Sequence, residues 1–142
     1  MGIIVEADDL IGEMIYIPNL NEKIYVLREG DEAVIIVDND PPYPYLGKMK
    51  LINYQYWLRV DRGAAEALLR GADLMAPGVE SYNEFPSNHL VMIKYVDTEI
   101  AVGLSLMDYS ELESIKKGKV VKILHYKGDR IWRYLSSLKL EK

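Results

Sequence analysis

Short β-branched or aromatic runs alternate with turn-forming clusters along the first part of the chain. Ile3-Ile4-Val5, Met14 to Ile17, Lys23 to Leu27 and Ala33 to Val37 are separated by Ala7-Asp8-Asp9, Pro18 to Glu22 and Arg28 to Glu32. Runs too short for helices and bounded by Gly, Pro, Asn and Asp predict three or four antiparallel strands. Pro41, Pro42 and Pro44 then remove backbone donors and bias their predecessors away from helix, which predicts a loop over Asp38 to Pro44. Leu46 to Tyr56 fits a short helix or an irregular strand equally well.

Beyond Tyr56 the pattern is more definite. Asp61 is placed to cap a helix starting at Arg62, with Ala64, Ala65, Leu68 and Leu69 as its apolar face and Gly71 where a left-handed residue commonly ends a helix. Leu90 to Val96 and Ile100 to Leu106 flank Asp97-Thr98-Glu99 and predict a hairpin. In its second strand Ala101, Gly103 and Ser105 form an unusually small face, which predicts the close approach of another backbone. Ser110 to Lys117 predicts a short helix capped by Ser110 and closed by Gly118. Lys119 to Tyr126 and Ile131 to Tyr134 predict a last strand pair joined across Lys127-Gly128-Asp129. The order is too rich in strands for βαβ units and closes best as a small barrel.

Composition narrows the class without naming a function. Of the 142 residues 49% are hydrophobic and 27% charged, the balance of a chain with a packed core. No apolar run approaches the roughly 20 residues that span a bilayer, and the first residues lack a basic, then apolar, leader, so a cytoplasmic protein without a membrane partner is expected. The absence of cysteine excludes disulfides, thiolate nucleophiles and thiolate metal sites. The net charge of −5 conceals a polarity, because residues 1–57 carry four basic against ten acidic residues while residues 114–142 carry nine against two. An acidic front and a basic rear would orient the molecule on a polyanion.

The usual catalytic constellations are missing. There is no Gly-x-Ser-x-Gly, no phosphate-cradling loop ending Gly-Lys-Ser/Thr, no Gly-x-Gly-x-x-Gly and no His-Glu-x-x-His. His89 and His125 stand far apart, so neither a metal nor another cofactor is expected; His125, grouped by alternation with Val121 and Ile123, reads as a packed histidine. Tyr43, Tyr45, Tyr54, Tyr56 and Trp57 could stack on unpaired bases but read better as packing at a junction. The sharpest local feature is Gly71-Ala72-Asp73-Leu74-Met75-Ala76-Pro77-Gly78, whose glycines and alanines admit a close neighbour and whose uncovered amides would donate to phosphate or base edges.

These motifs together resemble a known family. Asp61-Arg62-Gly63-Ala64, LLRGADLMAPGV (Leu68 to Val79), IAVG (Ile100 to Gly103) and KGKVVKILHYKGDRIW (Lys117 to Trp132) are similar, in order, to the PUA domain, and above all to the malignant-T-cell-amplified-sequence proteins, the front half of ligatin and their archaeal counterparts. His125, Tyr126, Asp129 and Trp132 match the ending of that group, and Glu32 to Leu46 resembles its pre-PUA domain, with Tyr45 in place of a Thr. The resemblance implies an α+β, mainly β chain, with a small pre-PUA domain over residues 1–57 and a PUA pseudobarrel over residues 58–142. It implies an RNA-binding, non-catalytic protein associated with translation or the ribosome. Its partners would be structured RNA, a tRNA acceptor end or rRNA, and by extension the small ribosomal subunit and an initiation-factor-like protein. An accessory that guides an RNA-modifying enzyme is the alternative; an enzyme with its site among the N-terminal carboxylates is a third reading, with less behind it. Carried over residue by residue, the RNA-binding candidates are Gly71, Ala72, Asp73, Met75, Pro77 and Gly78, to which charge adds Lys94, Lys122 and Arg130 as phosphate contacts.

Overall fold

The computed structural model describes residues 3–5, 11–18 and 20–137. Strand β1 (Ile3–Val5) comes first, and β2 (Ile11–Ile17), β3 (Glu22–Glu29), β4 (Glu32–Val37) and β5 (Tyr43–Pro44) form a four-stranded antiparallel sheet in that order. Alternation does its expected work there: Ile24 faces Val37 and Val26 faces Ile35, all four fully buried, while Tyr25 between them is exposed. Gly30, at φ +60°, makes the tight turn between β3 and β4. The proline-rich stretch is a loop up to Pro42, after which Tyr43 and Pro44 make a two-residue edge strand, the one sheet position where a missing donor is harmless. The undecided stretch after it turns and then gives β6 (Ile52–Tyr54), which pairs with β1. The Tyr54 hydroxyl donates to Glu99 at 2.8 Å; burial and that carboxylate push it up to about 12.

A six-stranded sheet follows. Strand β7 (Trp57–Val60) leads into helix α1 (Arg62–Leu68), then β8 (Leu74–Met75), a 3-10 turn (Ala76–Gly78), β9 (Val79–Tyr82), the hairpin β10 (Leu90–Tyr95) and β11 (Thr98–Ser105), helix α2 (Tyr109–Ile115), β12 (Lys119–Tyr126) and helix α3 (Arg130–Ser136). The strand order is β8-β12-β11-β10-β7-β9. Its two edge strands, β8 and β9, are joined by only the three residues of the 3-10 turn, so the sheet has to curl into a half-barrel. Leu58, Val60, Leu68, Leu74, Phe85, Val91, Ile93 and Val121 fill its interior. The predicted close approach is real: a Cβ on Gly103 would run into the backbone carbonyl of Lys122 on β12. Among the described residues, no helix is long and apolar enough to cross a membrane.

Several expectations need correction. Ile131 to Tyr134 is not a strand but the body of α3. Asp129 accepts from the Trp132 amide at 2.8 Å, the bond of an N-cap, and Ile131 and Leu135, four residues apart, are both buried. Helix α2 is capped by Asp108, not Ser110, through a reciprocal pair of bonds with Glu111, and its left-handed end is Lys116 as well as Gly118. Strands β8 and β9 had no counterpart in the sequence pattern. His125 does not share a face with Val121, because a bulge opposite Val102 and Gly103 breaks the alternation of β12.

That bulge turns His125 toward the N-terminal sheet. The ring is fully buried, lies against Tyr43 and Tyr45 at centroid distances of 5.5 and 5.9 Å, and accepts at Nε2 from the Leu46 amide at 3.1 Å. Nδ1 therefore carries the proton, which it donates to Asp129 at 2.8 Å. Asp129 also accepts from the amides of Tyr126 and Trp132. Burial alone would raise its pKa, but these hydrogen bonds hold the carboxyl below its ordinary range. Around this hub one apolar cluster runs from Ile17, Ile24, Val26, Ile35 and Val37 to Leu90, Met92, Val102, Ile131 and Leu135, joining the two sheets. Tyr43 and Tyr45 are packing residues here, only 6% and 4% exposed.

Candidate nucleic-acid interface

Helix α1 sets the position of the glycine-rich loop at both ends. At its start Asp61 accepts from the Ala64 amide at 2.8 Å, and the Asp61 amide donates to the Gly78 carbonyl at 2.9 Å. At its end Gly71 adopts φ +97°, its amide donates to Leu68, and the Ala72 amide donates to Ala67. This is a Schellman closure, which needs a left-handed residue and uses up two amides. The Ala76 amide is also taken, by the Gly118 carbonyl. The expected array of free donors is thus largely absent, because the loop's amides fasten it to its own fold.

The side chains fix it further. Asp73 accepts from the Ile123 amide at 2.8 Å and pairs with Lys119 at 3.0 Å, which staples the loop to β12. Burial opposes ionisation, yet the Ile123 amide, Lys119 and nearby Lys122 hold this carboxyl below its usual range. Leu74 and Met75 pair with Val121 and Lys119. Gly78 is small because the Cβ of Ala64 occupies the space its own would need. What the loop offers outward is shape and apolar surface. Met75 is 47% exposed, Ala72 and Pro77 are exposed, and between them and α1 lies a cleft of about 250 Å³ lined by Asp61, Ala64, Ala67, Leu74, Met75 and Pro77.

The structure therefore brings Gly71, Ala72, Asp73, Met75, Pro77 and Gly78 together with Lys122, which is exposed on β12 beside the residue that Asp73 binds. It does not bring Lys94 or Arg130 there. Lys94 lies on β10, beyond β11, with its ammonium 5.8 Å from the Trp57 ring; Arg130 opens α3 at the seam between the sheets. The helix residues Ala64 and Ala67 line the cleft, Lys119 stands beside it through its pair with Asp73, and all three escaped the sequence reading. The helical spacing of the two alanines, on the side of α1 that faces the loop, was the available signal.

The PUA domain family model matches residues 56–127. Translation machinery-associated protein 20 of Saccharomyces cerevisiae is 30% identical over 145 residues, covering 91% of this chain and 80% of the yeast protein. An uncharacterized protein of Methanocaldococcus jannaschii is 40% identical over 78 residues, 53% of this chain; that match spans about half of the relative's length, 48%. Among solved structures, a conserved PUA domain protein from Thermoplasma acidophilum superposes with a TM-score of 0.66 at 27% identity, over 80% of this chain and 82% of that one. The loop, the half-barrel that carries it and these relatives agree, and the chain belongs to the PUA domain family, related to translation machinery-associated protein 20 and malignant T-cell-amplified sequence 1.

Proposed function

We propose that this protein binds structured RNA, a tRNA acceptor end or rRNA, through the face made by α1, the Gly71 to Gly78 loop and β12, and that it works in translation without catalysing a reaction. The observation that carries the reading is the cleft itself. A rigid rim of exposed Met75 and Pro77 stands over a floor of small side chains, with Lys119 and Lys122 beside it on β12. Apolar side chains receive splayed bases, and lysines at the margin receive phosphates. The names of the relatives, translation machinery-associated proteins, support the same setting, the cytoplasm. In that setting the small ribosomal subunit and an initiation-factor-like protein are the partners to seek.

The test is binding to tRNA with and without its single-stranded 3′ end, using the wild type and Ala72→Glu. Ala72 is exposed, so the added bulk and charge should alter stability by less than about 0.5 kcal/mol. Affinity should fall at least tenfold, about 1.4 kcal/mol. A variant that folds and binds normally, with wild-type affinity indifferent to the 3′ end, would overturn the acceptor-end reading.

A further inference from the structure

Most strands that end a sheet in this molecule are short or protected. Strands β1 and β6 have three residues each, β5 has two, one of them Pro44, and β8 and β9 are tied together by the 3-10 turn. Strand β2 is the exception. It runs for seven residues without proline, pairs throughout with β3, and has no strand on its other side among the described residues. An edge of that length presents a row of backbone donors and acceptors to any chain that can align with it. The side chains beside it add apolar surface. Met14 and Tyr16, on the face turned away from the core, are 53% and 50% exposed, and Tyr25, the partner of Met14 on β3, is 41% exposed. The Tyr16 hydroxyl donates to Asn21 at 3.0 Å, which holds its ring in place.

The sequence of β2 fits a second copy of itself. Two identical strands pair antiparallel about a two-fold axis perpendicular to the sheet, so the residue on the axis meets its own copy and its neighbours are exchanged. Glu13 is the only charged residue of β2. Centring the pair on Glu13 would oppose two carboxylates, and centring it on Ile15 would leave Ile11 and Gly12 without partners. Centring it on Met14 matches all seven residues, Ile11 with Ile17, Gly12 with Tyr16 and Glu13 with Ile15. No like charges then stand opposite one another, and each Glu13 keeps its Arg28 at 3.9 Å. Each Tyr16 ring meets the Gly12 of the other copy, where the Leu27 side chain, leaning across the glycine, supplies an apolar bed.

We infer that two copies of this chain join through their β2 edges, centred on Met14, into one continuous sheet, each copy presenting its own Gly71 to Gly78 loop. The inference is independent of the RNA reading. The experiment is sedimentation velocity of the full chain from about 1 to about 500 μM, because a small interface associates weakly. It compares the wild type, Met14→Lys, Met14→Glu, an equimolar mixture of those two variants, and Tyr25→Lys. Met14 and Tyr25 are exposed, so every variant should fold, which thermal unfolding checks. The wild type should pass from monomer to dimer mass as concentration rises. Either Met14 substitution sets like charges against each other on the axis and should weaken association about tenfold or more. The mixture, with Lys opposite Glu, should associate about tenfold more tightly than either variant alone, a rescue available only where a residue meets its own copy. Tyr25→Lys, one strand back from the edge, should leave the association nearly unchanged. A wild type that stays monomeric across the series would overturn the inference without recourse to any variant, and so would Met14 variants that dimerise like the wild type. An equal loss in Tyr25→Lys would mark stacking of sheet faces instead of pairing of edges, and a mixture no tighter than its components would refute the pairing centred on Met14.

Discussion

Two aspartates hold the two most distinctive regions of this molecule, and they do so in different surroundings. Asp129, its side chain 13% exposed, serves the seam between the sheets, where it accepts from two amides and from a fully buried imidazole. Asp73, 27% exposed, serves the glycine-rich loop, where it accepts from one amide and one surface lysine. Both lie in family motifs that look alike as text, small or polar residues at fixed spacing. The seam motif closes upon itself and presents no surface. The loop motif turns its backbone bonds inward and leaves Met75, Pro77 and Ala72 facing water. A conspicuous motif thus becomes a candidate interface only when its polar groups are satisfied from behind.

Removing each carboxylate separates the two cases. Asp129→Ala should have the largest effect, a loss of about 3–5 kcal/mol in urea unfolding, since it removes a helix cap and strands a buried imidazole donor and two amides. A loss below about 1 kcal/mol would mean that the seam does not depend on its hub. Asp73→Ala should cost less, about 1–2 kcal/mol, because one amide loses its acceptor and an exposed pair is worth little. Titration sharpens the comparison. Both carboxyls sit below their unfolded value of about 3.9, so each contributes stability above that pH and loses it as pH falls through the folded pKa. Replacing either aspartate should flatten the decline of stability below about pH 4, with less change above it in the slope than in the level. An acid limb unchanged by both substitutions would remove this linkage. The smallest stability effect belongs to Lys122→Glu, within about 0.5 kcal/mol, since the lysine is exposed. It should nevertheless reduce the slope of log affinity for tRNA against log salt by roughly one unit or more, and an unchanged slope would assign Lys122 to solvent.

The residues whose role depends on local chemistry were legible in the sequence. Asp61, Gly71 and the alternation of β3 and β4 follow from capping, left-handed geometry and period-two burial, and they stand where expected. Helix α3 was not legible because Ile131-Trp132-Arg133-Tyr134 is rich in strand formers and too short to show a helical period; the deciding facts are the Asp129 cap and the distant partners of Ile131 and Leu135. The orientation of His125 depends on a single bulged residue, and the removal of Lys94 from the loop depends on the order of strands, neither of which a list of charges records. Of the free amides expected in the loop, those of Gly71 and Ala72 are taken by the closure that Gly71 predicts, and that of Ala76 by the distant Gly118 carbonyl. The first two bonds follow from the left-handed closure, whereas the third depends on a residue more than forty positions away.

The apolar cluster beneath the N-terminal sheet also bears on how the chain behaves during synthesis. Strands β2, β3 and β4 pair with their immediate neighbours, so their hydrogen bonds need nothing from later in the chain. Their apolar underside is different, because Ile24 and Val26 belong to one buried cluster with Ile131 and Leu135, more than a hundred residues downstream. While the ribosome is still making the half-barrel, a finished sheet with an open greasy face waits outside the tunnel, the condition that invites chaperones and mispairing. Leu90, Met92 and Val102 join that cluster first, and Ile131 and Leu135 of helix α3 are its last members to be made.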